Sequence, residues 1–409
     1  MRRPALLVLA ATAALAGCGG SGTKSSGGTI LIAVNAPFSR EPSVGNTIAR
    51  GAQLALTTVN PFGGLVIGPK RYRLRVKRYD NALSPQRAVQ NVRQAIADGA
   101  IAIVDEGTGV DASWQIARDA NVPICIAYQG GEGLVDPAKR PNVFRIAPTD
   151  HGVAFRLAEY LIPKGLKIAL LHDDSDYGQQ GAAAMRQAFG RNSGSVADSL
   201  TLPSTATDLS PQVLRARRAH ATALLVWGRG PTIAKVLLAA RAAGWNVPVF
   251  TPPAGEDPIV RQQLANHPSW VDGLTFASGR MTAELGPTAF LNFQNLYRSV
   301  YGADRIGVKT AAGKPVLQPP DYAMYSYDFV HLLEAALRAA KSPDRKGVLA
   351  QLNEVVVEGA NGDERGFNLK NHEGVVDDDV YFARFRDMTF RPVRDDPLSS
   401  TLPVIDQTG

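Results

Sequence analysis

Few residues in this chain fall in patterns that could do covalent or metal chemistry. The segment His172-Asp173-Asp174-Ser175-Asp176 crowds one imidazole and three carboxylates into five positions. It lacks the spacing of a calcium loop and that loop's terminal Glu, so Asp174 or Asp176 is better read as a cap for the helix that follows. Gly130-Gly131-Glu132-Gly133 is not followed by Lys-Ser/Thr and is no phosphate loop. The six histidines are scattered without metal-ligand spacing, and no Gly-x-Ser-x-Gly elbow occurs, including around Ser193 and Ser278. Cys125 lies inside the apolar run 122–127 with no neighbouring base, the setting of a buried, inert thiol. The sequence therefore predicts no catalytic residues, no metal and no cofactor. What remains is recognition chemistry: hydroxyls, aromatics, carboxylates and an arginine in short loops after apolar runs.

Those loops are placed by an alternation of strand-length apolar runs with amphipathic stretches of helix length. Strands are expected at 30–36, 74–79, 100–104 and 122–127, with helices at 47–59, 85–97 and 111–120 between them. A second series begins after 143–147. Its helices are expected at 151–162, 178–189, 210–218 and 231–243, and its strands at 167–172, 196–202, 223–227 and 247–250. Gly244 after a helix, Pro85 and Pro231 at helix starts and the 208–211 cap region fall where the alternation needs them. Further on come a strand at 275–278, helices at 287–301 and 322–340, and added strands toward the tail. Successive βαβ units make parallel sheets covered by helices on both faces, so the fold class is α/β with two Rossmann-like units. In such sheets a ligand lies beyond the carboxyl ends of the strands. The loops to inspect are 38–46, 107–113, 128–133, 173–178, 228–232 and 251–257.

The N-terminus carries Arg2 and Arg3, an apolar run over 5–15 broken only by Thr12, and then Leu15-Ala16-Gly17-Cys18. That run is well short of the roughly 20 residues a membrane-spanning helix needs, so it reads as an export signal. Small residues directly before Cys18 resemble a bacterial lipobox, which implies diacylation of Cys18 as the mature N-terminus and a membrane attachment through two acyl chains. Residues 19–28 are nearly all Gly and Ser, the composition of a flexible tether, with the folded part expected from Thr29. With Cys18 acylated, Cys125 has no disulfide partner and the fold must rest on its core. The 409 residues, 45% of them hydrophobic, suffice for two domains. The formal net charge of +7 is spread along the chain, against a nucleic-acid surface.

Four segments resemble the type I periplasmic binding proteins of the branched-chain amino acid (Leu/Ile/Val-binding) family. They are Ala36-Pro37-Phe38-Ser39 with the helix from Arg50 and the close at Asn60-Pro61-Phe62-Gly63-Gly64; Tyr79-Asp80-Asn81 with Pro85 and Ala88; Val143-Phe144-Arg145-Ile146-Ala147-Pro148-Thr149-Asp150; and Leu171-His172-Asp173-Asp174-Ser175-Asp176-Tyr177-Gly178. The resemblance runs from Thr29 to about Phe390. It implies two lobes joined by a hinge crossed near 147–150, 277–280 and 375–383. The lobes would be 29–147 with 279–378, and 148–278 with 379–409, after a signal peptide at 1–17 and a lipidated tether at 18–28. Ligand would bind between the lobes, and closure around it would be read by an ABC permease. The expected protein is a monomeric, non-enzymatic solute-binding lipoprotein of the cell envelope, taking an amino acid or related polar metabolite. The same resemblance admits a ligand-sensing receptor lipoprotein that partners a membrane sensor kinase.

The expected ligand-binding residues are Phe38, Ser39, Gly107, Thr108, Ser113, Tyr128, Gln129, Gly130, Tyr177, Arg229 and Glu256. Backbone donors with Thr108 or Ser113 are candidates for a carboxylate, with helix capping the other reading of both hydroxyls. Tyr177 matches a ligand-contacting tyrosine of the family. Tyr128 and Trp114 are candidates for cleft walls or for core. Two departures from the family matter: Gly130-Gly131 stand where a small residue and Thr receive an amino group, and Ala254 stands at the position of a Glu. Leaving an ammonium unpaired there costs about 3–5 kcal/mol, so Glu256 or Asp257 does the pairing or the ligand is not an α-amino acid. Arg229 suits a second ligand carboxylate, or is a solvated loop residue.

Overall fold

The computed structural model describes residues 25–192, 194–279, 288–302, 306–317, 321–375, 380–402, 404 and 406–408. The expected signal peptide, Cys18 and parts of the second and third hinge crossings lie outside them.

The first lobe is built on six strands: β1 (Ser25–Ala36), β2 (Leu65–Ile67), β3 (Lys70–Asp80), β4 (Ala100–Asp105), β5 (Ile124–Ile126) and β6 (Val143–Arg145). Their order is β2-β3-β1-β4-β5-β6, parallel except for the short β2, which pairs antiparallel on the outer edge of β3. β1 starts four residues before the expected Thr29. Ser25 and Ser26 pair with Lys70 and Arg71 across an irregularity, because the long β3 offers a free edge to the Gly/Ser segment. The helices α1 (Pro42–Leu56), α2 (Pro85–Ala97) and α3 (Val110–Asp119) cover this sheet, joined by α9 (Thr288–Tyr301), α10 (Asp321–Ala340) and α11 (Arg345–Gln351) from later in the chain. α1 packs so closely on α10 that a Cβ at Gly51 would lie 2.0 Å from the Ala323 carbonyl oxygen.

The second lobe carries a seven-stranded sheet in the order β15-β14-β11-β10-β9-β7-β8. Its strands are β7 (Ile168–Asp173), β8 (Val196–Leu202), β9 (Ala223–Trp227), β10 (Val249–Thr251), β11 (Leu274–Ser278), β14 (Tyr381–Arg386) and β15 (Thr389–Pro392). The first five are mutually parallel; β14 and β15 add an antiparallel edge. β7, β9 and β11 are buried along their whole length, β9 as an unbroken apolar run and β7 as one up to Leu171, as suits a sheet covered on both faces. The covering helices include α4 (Asp150–Leu161), α5 (Asp176–Arg191), α6 (Ser210–Arg218), α7 (Gly230–Ala242) and the short α8 (Pro258–Gln263). A small ribbon, β12 (Val356–Glu358) with β13 (Glu364–Gly366), stands apart from both sheets.

The chain leaves the first sheet after Arg145 and enters α4 at Asp150. Returning past Gly366, it lays 372–374 beside that first crossing, with the Arg145 amide donating to the His372 carbonyl at 2.9 Å and the Gly374 amide to the Arg145 carbonyl at 2.7 Å. Arg145, itself buried, adds an ion pair to the half-buried Glu373 at 2.6 Å. The returning segment is thereby tied alongside the end of β6, just before the chain leaves the first sheet for α4. Among the described residues, no helix is long and apolar enough to cross a membrane.

Candidate functional site

Each sheet reverses its strand order once. In the first lobe the chain runs from β1 out to β3 and then returns to β4 on the other side of β1; in the second it runs from β7 to β8 and back to β9. The loops after β1 and β4, and after β7 and β9, therefore splay apart and leave a crevice at the carboxyl end of each sheet. The two crevices face each other. Their rims enclose a chamber of about 520 Å³ lined by residues of both lobes, among them Glu41, Thr108, Gln129, Asp173, Tyr177 and Arg229.

Contacts between the lobes close this chamber. Arg229, from the loop after β9, reaches the first lobe and holds Glu41 at 2.9 Å and Glu106 at 2.7 Å. Tyr128, after β5, donates to Asp257 at 3.0 Å, and Tyr322 of α10 donates to the other oxygen of Asp257 at 2.9 Å. Gln180 of α5 packs on Gly131, where a Cβ would meet its Oε1 at 1.8 Å, so the glycine is what lets the lobes meet. Behind these contacts, a recess of about 20 Å³ remains among Tyr128, Tyr177, Tyr322 and Asp150. The Tyr128 and Tyr322 rings meet edge to face with centroids 5.1 Å apart, and Tyr177 leans on Tyr128 at 6.0 Å.

The electrostatics are acidic. Glu106 is fully buried, and its carboxylate accepts from the Thr108 amide at 3.2 Å, Gln129 at 3.1 Å and Asn81 at 3.4 Å as well as from Arg229. Burial raises its pKa, but Arg229 and these hydrogen bonds outweigh burial and hold it below the usual carboxylate range. For Glu41 the same contest goes the other way: burial exceeds the pull of Arg229, and its pKa is raised. Asp150 and Asp257 are both pushed up to about 7, chiefly by burial. Arg145 opposes the shift at Asp150 and Glu132 adds to it; Glu41 adds to it at Asp257, where the two tyrosine hydroxyls and Arg229 oppose. Burial raises all three tyrosines well above their ordinary value, so they stay protonated donors.

The structure gathers some of the expected residues and redirects others. Gly107, Thr108, Gln129, Tyr177 and Arg229 line the interlobe chamber, and Tyr128 and Tyr177 line the recess. Gly107 holds φ +124°, and a Cβ there would strike the Gln129 side chain at 2.6 Å, so the turn requires glycine. Gly130 contributes its backbone, accepting from the Asp150 amide at 2.8 Å.

Phe38 and Ser39 are not in the chamber. Arg78 lies over the Phe38 ring at 5.5 Å and the exposed Ser39 amide donates to Asp80 at 3.2 Å, while the next residues, Arg40 and Glu41, line the cleft. The Ser113 hydroxyl turns back to the Gly109 carbonyl at 2.9 Å, one helical turn earlier, and Gly109 is the residue that caps α3. Trp114 is half-buried against the first lobe's core, with Arg118 and Arg140 over its ring, and does not line the chamber. Arg229 is neither solvated nor open to a ligand carboxylate, since two glutamates hold it. Glu256 is fully buried within a 3₁₀ turn, and it is Asp257 that faces the tyrosines. Before α5 the cap is Ser175, whose hydroxyl accepts from the Gly178 amide at 3.1 Å; Asp174 instead accepts from the Ser204 amide. Sequence reasoning passed over Glu41, Glu106 and Asp150. The signal for Glu106 was present: two acids directly after the buried run 100–104 stand at the carboxyl end of a central strand.

Two α/β lobes about an enclosed, tyrosine-walled recess define a solute-binding protein, not an enzyme. The chain belongs to the periplasmic binding protein family, whose pattern matches residues 30–389. It is 25% identical over 335 residues to Leu/Ile/Val-binding protein homolog 3 of Brucella melitensis, covering 79% of this chain and 82% of that protein. Among solved structures, a type 1 periplasmic binding protein from Bordetella pertussis superposes with a TM-score of 0.78 at 22% identity, over 89% of this chain and all of the other. The branched-chain amino acid transporter substrate binding protein of Streptococcus pneumoniae, in complex with isoleucine, gives 0.74 at 22% identity, over 88% and 97%.

Proposed function

We propose that the chain is an extracytoplasmic solute-binding lipoprotein of an ABC importer that takes an amino acid or related small polar metabolite between its lobes by hinge closure. The observation that supports this most is the convergence of both switch-point crevices on one chamber, with Tyr128, Tyr177, Tyr322, Asp150 and Asp257 around its closed end. A ligand that touches both lobes favours the closed form by its differential contacts, and the closed form is what a permease distinguishes. Cys18 is the proposed lipid attachment, which places the protein on the envelope outside the cytoplasmic membrane. The lobes divide as 29–147 with 279–378 and 148–278 with 379–409, β1 extending the first back to Ser25. One cleft per chain needs no second subunit, so the protein acts as a monomer.

The test is a thermal-shift screen of the full chain against amino acids, amides, amines, dicarboxylates and small aromatic acids. Ligand at ~100 times its dissociation constant adds about 2.7 kcal/mol of stability. A shift with one compound class supports the reading. No shift with any class contradicts it.

A further inference from the structure

We propose that the cleft is built for an amine-type cation, a small molecule whose positive group is recognised without an accompanying carboxylate, and not for an α-amino acid; this rests on the solute-binding reading above. The loop after β4 is where a ligand carboxylate was expected. Donors of this loop and of the loop after β5 are taken by the chain's own carboxylates: the Thr108 amide and the Gln129 amide group go to Glu106, and the Gly107 amide goes to Asp105 at 2.7 Å. The buried guanidinium of the described chamber lining, Arg229, is held by Glu41 and Glu106, and Arg145, which acts on Asp150 from beside the recess, is held by Glu373. A carboxylate entering here finds no vacant strong donor among these groups and must break buried ion pairs to gain one.

The charge of the chamber argues the same way. Its described lining carries five carboxylates against two guanidiniums, Arg40 and Arg229. Such a field attracts a cation and repels an anion. The recess behind it adds an independent observation. Asp150 is only 4% exposed, lines the recess, and its Oδ2 has no hydrogen-bond partner. A buried carboxylate oxygen without a donor is costly, and a ligand N–H supplies what is missing. Tyr128 and Tyr177 line the same space, and the Tyr128 ring already carries one cation, the Arg229 guanidinium at 5.9 Å. The recess of about 20 Å³ matches one ammonium-sized group, with the rest of the ligand lying past Tyr177, which lines both spaces.

The experiment is titration calorimetry of the full chain at pH 8 with two matched series. One is leucine, leucinamide, 3-methylbutylamine and 4-methylpentanoate; the other is arginine and agmatine. The proposal expects at least one amine to bind tenfold or more tighter than its parent amino acid, and 4-methylpentanoate not to bind. Asp150→Asn should weaken that amine at least tenfold with an unchanged circular dichroism spectrum, and Asp257→Asn serves as a second variant if the first does not fold. An amino acid that equals or beats its amine, binding by the carboxylate alone, or binding only of uncharged compounds overturns the inference and leaves the solute-binding reading standing. Silence across both series and the wider screen overturns both.

Discussion

Replacing Arg229 by Met removes the cation that joins the lobes while roughly keeping the volume of the side chain. Two carboxylates, Glu41 and Glu106, then face each other buried and unpaired, where the native chain held them at 2.9 and 2.7 Å. Breaking a buried ion pair by deleting one partner costs about 3–5 kcal/mol when the other stays dry. Here it need not stay dry, because Glu41 and Glu106 belong to the first lobe and Arg229 to the second. Opening the hinge returns both carboxylates to water without unfolding either lobe. The cost should therefore appear as a change in the closed-to-open ratio of about two to three and a half decades, enough to turn a mostly closed ligand-free population into a mostly open one. Small-angle X-ray scattering of the ligand-free chain reads this directly: Arg229→Met should show a larger radius of gyration than the native chain. Adding Glu41→Gln and Glu106→Gln to Arg229→Met should recover part of the compaction, since the uncompensated charges are gone. Scattering identical to the native chain's, or a lowered denaturation midpoint with no expansion, refutes the assignment of this triad as an interlobe clasp.

Asp150→Asn and Asp257→Asn should each weaken ligand binding by tenfold or more in calorimetry, whereas Ser39→Ala and Ser113→Ala, outside the chamber, should change it less than twofold. Ligand-free Asp150 and Asp257 titrate near 7, burial being the main cause, so a cationic ligand must displace protons below that pH. Affinity should then fall as pH drops from 8 to 5.5, by up to about tenfold per pH unit for each carboxylate. In the ligand-free chain the native state holds these protons between about 4 and 7 while the unfolded state does not. Each group therefore lowers stability as pH rises through that window, and the stability advantage of Asp150→Asn over the native chain should grow from pH 5 to pH 8 in urea melts. Gly51→Ala must move the α1–α10 contact and should cost about 1–3 kcal/mol in the same melts. Cys18→Ser should move the protein from the detergent phase to the aqueous phase on membrane partitioning.

The two-sheet architecture was legible because each central strand is a buried apolar run followed by an amphipathic stretch. Ile168–Asp173 and Ala223–Trp227 announce themselves from hydropathy alone. β2, β12 and α8 were not expected, since three to six residues carry too little periodicity to register. The six loops named from the sequence all contribute residues to the chamber or the recess, but the partners within them were not foreseen. Arg229 looked free because its two glutamates lie 123 and 188 positions away, and no local pattern pairs residues across a hinge. Tyr322 enters the recess from a helix far along the chain, after the second crossing, with nothing nearby to mark it. Gly131 departs from the family's Thr because Gln180 of the other lobe fills the space a side chain would take, which only the closed arrangement reveals.

The central claim, that the interlobe recess is the ligand site, is tested most directly by a crystal structure of the chain grown with the tightest binder from the screen. The account predicts ligand density between the lobes, with a nitrogen within hydrogen-bond distance of Asp150 and the rings of Tyr128 and Tyr177 alongside. Density elsewhere, such as the surface groove beside Phe293 and Glu334, with the interlobe recess unchanged, contradicts it.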